Sequence, residues 1–162
     1  MSEDKEYAVL PEGNEIVKGL SERYSEVLWA VKPSEVMVMG VTNKEAPKTG
    51  KMETKAKIKM VDPITKALLK HFGNPDVKYL IDVYCSEWQG WSNARRQFVL
   101  FHELVHVPGP DGKGLIKHDV EDFSPIVDQF GTGWFNKPDL PDLLNGDPVA
   151  IDKDKYTKLH LK

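Results

Sequence analysis

The sequence predicts one globular domain built from both helices and strands. Three observations carry this. The chain has 162 residues, a size that suits one domain and buries roughly two-thirds of the unfolded surface. Its hydrophobic content is 40% and its charged content 29%, both ordinary for a folded domain. Apolar residues recur at steps of three and four in some segments and alternate with polar ones in others, which separates helices from strands.

Residues 1–10 read as a mobile leader. From Pro11 the apolar positions Ile16, Leu20, Tyr24, Val27, Leu28 and Val31 form one helical stripe, with Asn14 as N-cap and Pro33 as terminator. Val36 to Val41 is a short apolar run between turn signals, hence a strand. The polar stretch from Asn43 to Glu53 contains Pro47 and Gly50 and reads as a loop. From Thr54 to Val61, Ala56, Ile58 and Met60 alternate with Lys55, Lys57 and Lys59, as in a half-buried strand with a solvated lysine face. Asp62-Pro63 opens a short helix through Ile64, Leu68, Leu69 and Phe72 that stops at Gly73. Val77 to Tyr84 is a further strand, expected to present an edge. Asn93 to Val107, with Ser92 as N-cap, is apolar on nearly all sides and therefore a buried helix. A last helix spans about 119–130, interrupted or restarted at Pro125 and capped by Gly131. The expected division is a leader (1–10), a main domain (11–136) and a C-terminal extension (137–162) whose end is disordered.

Composition weighs against several classes, without excluding a local basic patch. The formal net charge of -3 gives no general nucleic-acid footprint, and no apolar run reaches membrane-spanning length. Cys85 is the single cysteine, so no disulfide forms within the chain. The charged start, Met-Ser-Glu-Asp-Lys-Glu, lacks the apolar core of a signal peptide. Both features predict a cytoplasmic protein.

The chemistry concentrates in one helix. His102-Glu103-Leu104-Val105-His106 has the His-Glu-x-x-His spacing, which sets two imidazoles on one helical face and the glutamate beside them. A zinc ion suits two neutral imidazoles and takes three protein ligands when catalytic. The third ligand would be His118, or one of Asp119, Glu121 and Asp122. Those not used as ligands could accept the far N–H of a coordinating histidine. The same five residues also occur without metal. His102 and His106 would then be hydrogen-bonded core residues, Glu103 would pair with Arg95 or Arg96, and Asp119 would cap the next helix. If the metal is present, Glu103 is the catalytic candidate, as base for a metal-activated water.

The stretches Leu100 to Val107, His118-Asp119-Val120-Glu121-Asp122-Phe123, Phe130-Gly131 and Trp134 resemble the phage metallopeptidase domain family, over about residues 13–134. A more distant similarity runs to SprT-like zinc peptidases. The resemblance implies a compact zincin-like α+β fold, with an N-terminal helix, a small mainly antiparallel sheet, the central buried helix and a following helix. It also implies a phage or prophage origin, a Zn2+ cofactor, and peptide or protein substrates from the host or the phage in the host cytoplasm. It puts His102, His106 and His118 at metal positions and Glu103 at the catalytic position. The alternative is a zinc-stabilised module that binds host proteins without physiological protease activity.

Overall fold

A computed structural model describes residues 6–42, 48–49, 52–53, 56–84, 88–110, 112, 114–119 and 122–161. The mixed α+β organisation is as the sequence predicts. A four-stranded sheet has the order β1-β2-β6-β5. Its strands are β1 (Glu6–Val9), β2 (Val36–Thr42), β5 (Ala56–Met60) and β6 (Tyr79–Tyr84). The β1–β2 and β5–β6 pairs are antiparallel and β2–β6 is parallel, so the sheet is mixed and mainly antiparallel. The two-residue strands β3 (Lys48–Thr49) and β4 (Met52–Glu53) pair separately.

Alternation fixes which face of the sheet is buried. The register aligns Val38, Ile81 and Ile58 across three strands, and these side chains are almost fully buried. Helix α1 (Pro11–Arg23) and helix α3 (Asn93–Val105) pack against this sheet and each other. A Cβ on Gly13 would come within 2.6 Å of Val38 Cγ1, so glycine there permits the close approach of α1 to β2. Helix α3 starts as predicted, with the Ser92 side chain accepting the Arg95 N–H. Phe98, Leu100, Phe101 and Leu104 on it are each at most 1% exposed, which anchors the helix that carries the candidate site.

Several expectations are corrected. Glu6–Val9, assigned to the leader, is an edge strand paired with β2. Its residues are all exposed, so no burial pattern announced it. Helix α1 begins at Pro11 and ends at Arg23, well before Pro33. Asn14 is not its N-cap: the side-chain oxygen accepts the Val38 N–H at 2.8 Å. The remaining apolar stripe from Tyr24 to Val31 is still buried, but on a turn-rich segment. Strand β6 is internal, flanked by β2 and β5, so among the described residues the outer strands are β1 and β5. Lys57 and Lys59 do lie on an exposed face, Lys59 pairing with Asp82 at 3.1 Å. Lys55 and Cys85 lie outside the described residues.

Helix α2 (Pro63–His71) forms where predicted, capped by Asp62. Its apolar stripe nevertheless faces outward, with Ile64 76% and Phe72 73% exposed. Pro125 marks a fresh start: α4 spans Ser124–Phe130 with proline in its first turn. Gly131 ends it at φ 91°, a conformation glycine adopts without penalty.

Residues 137–161 belong to the same core. Leu143, Tyr156 and Leu159 are at most 4% exposed, and helix α5 (Lys153–Thr157) leads into a 3-10 turn over Lys158–Leu161. Gln97 ties this segment to α3. Its carbonyl oxygen accepts the Leu143 N–H at 2.7 Å and its amide donates to Asp142 at 2.9 Å. Tyr24 donates its hydroxyl to the Leu143 carbonyl at 2.7 Å. Gln97→Ala strips the buried Leu143 N–H of its partner. The expected loss is about 2–3 kcal/mol of unfolding free energy, measurable by urea denaturation.

Candidate metal centre

Helix α3 ends at the site. His102 lies in its last turn and His106 is its C-cap residue, so both imidazoles project from one helical face. The chain then leaves α3, and two bonds bring it back alongside. Ile116 N–H donates to the His106 carbonyl at 2.8 Å, and His106 Nδ1 lies 2.5 Å from the Ile116 carbonyl oxygen. That clamp brings His118 to the cluster two residues later. His102 Nε2 and His118 Nε2 are 2.9 Å apart. One nitrogen from each of His102, His106 and His118 falls within a 4.8 Å envelope. All three rings pack on Phe123, with centroid distances of 4.7 to 5.3 Å, and Phe123 is fully buried.

The outer partners set the tautomers. His106 donates from Nδ1 to Ile116, leaving Nε2 with its lone pair. His102 Nδ1 lies 2.8 Å from Asp122 Oδ1. Asp122 is itself held by the Trp134 indole N–H at 2.7 Å and the Phe123 N–H at 2.6 Å. Burial opposes charge on Asp122, yet His102 and these two donors hold its carboxyl below the usual carboxylate range. Burial also disfavours a charged His102, but Asp122 and Glu103 more than offset it and raise its pKa. His106 is pulled down to about 4, chiefly by burial and against the Ile116 bond. Burial and then His102 lower His118 as well. His106 and His118 are therefore neutral near pH 7, the form that binds metal.

Glu103 shares the helix and turns toward the sheet. It is 8% exposed, and its Oε2 accepts the Ile58 N–H at 3.2 Å. Ile58 opposes Ile81 in the antiparallel β5–β6 pair. Antiparallel pairs alternate between bonded and non-bonded positions, so an Ile58 N–H aimed at Glu103 lies on the outer edge of β5. Burial pushes the Glu103 carboxyl up to about 7, against the opposing pull of His102 and the Ile58 N–H.

The open choice of a third ligand is narrowed by these contacts. His118 joins the cluster. Asp119 turns away, accepting the Ser124 N–H at 2.7 Å and bonding its hydroxyl, and so caps the start of α4. Asp122 stands behind His102. Glu121 lies outside the described residues. Arg95 and Arg96 do not serve Glu103 in the contacts seen: Arg96 bonds the Trp88 carbonyl and Arg95 lies over Phe135. The Ile58 N–H, the Ile116 carbonyl and the Trp134 indole were not legible as site groups. Two are backbone atoms, and no motif marks them.

The donor set fits a divalent transition ion. Bonds of about 2.0–2.1 Å in a tetrahedral site separate ligand nitrogens by roughly 3.3 Å, between the 2.9 Å contact and the 4.8 Å envelope. Asp122→Asn keeps the shape but removes the charge behind His102. It should weaken metal binding about ten- to a hundred-fold, read by competition with a chromogenic chelator.

Comparison with known proteins adds one match. The model of a family described as "Putative phage metallopeptidase" matches residues 5–146, further at both ends than the motif residues alone suggest. No curated protein and no solved structure shows significant similarity to the chain. No described helix is long and apolar enough to cross a membrane.

Proposed function

Because the chain belongs to the phage metallopeptidase family, we propose that it hydrolyses peptide bonds, using a zinc ion held by His102, His106 and His118 and Glu103 as general base. One observation carries the reading. The three imidazole nitrogens converge near the buried Glu103 carboxylate of α3, which bonds the outermost described strand β5. Three imidazole nitrogens suit zinc among the available divalent ions. When bound, such an ion supplies Lewis acidity to a substrate carbonyl and to water.

The chain's own groups do the rest. Glu103, with a pKa of about 7, is matched to proton transfer near neutrality. Its carboxylate takes a proton from the attacking water and returns it to the leaving amine nitrogen. Asp122 orients His102, and the Ile116 carbonyl orients His106. Strand β5 offers the outward backbone groups of Ala56 and Met60 on either side of Ile58, by the same alternation that aims Ile58 at Glu103. An extended peptide can pair with that edge and so lie across the cluster. The substrate is a peptide or an unfolded segment of a host or phage protein, met in the host cytoplasm.

The test uses protein purified without a histidine tag, stripped with a chelator and reloaded with zinc. A proteome-derived peptide mixture should be cleaved by the loaded protein and not by the stripped one. Full zinc occupancy with no cleavage of any peptide would sink the peptidase reading.

A further inference from the structure

We infer that the cleft beside His118 receives a large apolar side chain next to the scissile bond, and that the C-terminal turn sets this preference. The inference rests on the peptidase reading for the word "scissile"; the pocket itself stands on the geometry below.

The cleft has a volume of about 780 Å³, within the range of ligand pockets. Its walls are Trp29, Pro108, Leu115, Leu159 and Leu161, with His118 at one side. His118 thus belongs both to this wall and to the metal cluster, where its Nε2 faces His102 at 2.9 Å. A side chain seated in the cleft lies beside whatever bond the cluster holds. Trp29 is 45% and Leu161 80% exposed. Large apolar groups left open in a concave site mark a binding surface more than a scattered hydrophobic residue does.

The wall is built in advance. A Cβ on Gly109 would fall 2.6 Å from the Trp29 ring, so the loop after α3 closes on Trp29 only because glycine stands there. On the other side, the Trp29 and His160 rings lie 4.7 Å apart. The charged lining groups Lys117 and Asp119 have opposite signs, so the cleft selects size and apolarity rather than charge. Thr157, Leu159, His160 and Leu161 form its far side, and all lie beyond the family match, which ends at residue 146. One side of this pocket thus comes from the matched span and the other from the segment that follows it.

Two readouts test the proposal on the full chain. In the cleavage profile of zinc-loaded protein on a proteome-derived peptide mixture, Leu, Phe and Met should be enriched about ten-fold at one fixed position beside the cut. Separately, Glu103→Gln protein loaded with zinc should bind a hexapeptide with a central Leu-Phe pair at least ten-fold more tightly than its Ala-Ala counterpart. Trp29→Ala and Leu161→Asp should each level that ratio, while Ile64→Asp, about as exposed as Leu161 but on α2, should leave it unchanged. Equal affinities for the two hexapeptides in protein with an intact cleft would overturn the pocket. A retained ten-fold binding ratio with no cleavage by the wild-type chain would uphold the pocket and overturn the peptidase reading instead.

Discussion

Glu103→Gln is expected to lower peptide hydrolysis about a hundred- to ten-thousand-fold, the usual contribution of a positioned acid–base group, with zinc still bound at one ion per chain. The substitution is close to isosteric. The glutamine carbonyl can still accept the Ile58 N–H that now bonds Oε2 at 3.2 Å, so the helix and the β5 edge stay in register. What disappears, on the proposed mechanism, is proton transfer. Burial has already raised the carboxyl to about 7, so a neutral amide costs the fold no buried charge. Thermal unfolding of the variant should match or exceed that of the parent. Steady-state hydrolysis with metal analysis on the same sample separates the two effects, and undiminished hydrolysis with zinc bound would assign the base to another residue.

His106→Ala is expected to abolish metal-linked stabilisation. An ion that binds only the folded chain adds about 4 kcal/mol at a thousand times its dissociation constant, or roughly 8–16 °C for a domain of this size. The parent should show that rise on adding zinc, and the variant should show none. His106 is the sharpest position for this test because it holds two roles. Its ring joins the nitrogen cluster, and its Nδ1 clamps the Ile116 carbonyl at 2.5 Å. Alanine removes one ring of the cluster and loosens the loop that carries His118. Differential scanning fluorimetry with and without zinc measures the effect, and an unchanged zinc-induced rise would remove His106 from the site.

Sequence alone carried the helices and strands whose signals are local. The α3 helix, its Ser92 cap and the His102, Glu103, His106 spacing were readable because helical periodicity alone places those side chains together. Helix α2 was readable from Asp62-Pro63 at one end and Gly73 at the other. Four features were not. Strand β1 is exposed along its length, and only its pairing with β2 makes it a strand. The end of α1 at Arg23 was hidden because the same apolar residues that suit a helix are buried just as well by the turns that follow. Leu143, Tyr156 and Leu159 are apolar residues in a largely polar stretch, buried through distant partners: Leu143 is bonded to Gln97 and Tyr24, and Tyr156 packs on Phe101. Which of His118, Asp119 and Asp122 faces the cluster depends on bonds to Ser124, Trp134 and His102, which no spacing rule contains.

That last point bears on the chemistry. A five-residue motif supplies two imidazoles and a carboxylate but neither orients nor completes them. Orientation comes from Asp122 and the Ile116 carbonyl, the third nitrogen from a loop pinned by backbone bonds, and the position of Glu103 from the edge of β5. A module that merely holds zinc for stability would need no carboxylate positioned at the sheet edge, and it would close the fourth metal position with a protein group.

X-ray absorption at the zinc edge of the untagged, reconstituted protein addresses this directly. The expected result is one zinc per chain, three imidazole ligands and one light non-protein oxygen completing the shell, with one imidazole lost in His118→Ala. Four protein ligands, a sulfur in the shell, or no stoichiometric zinc would contradict it.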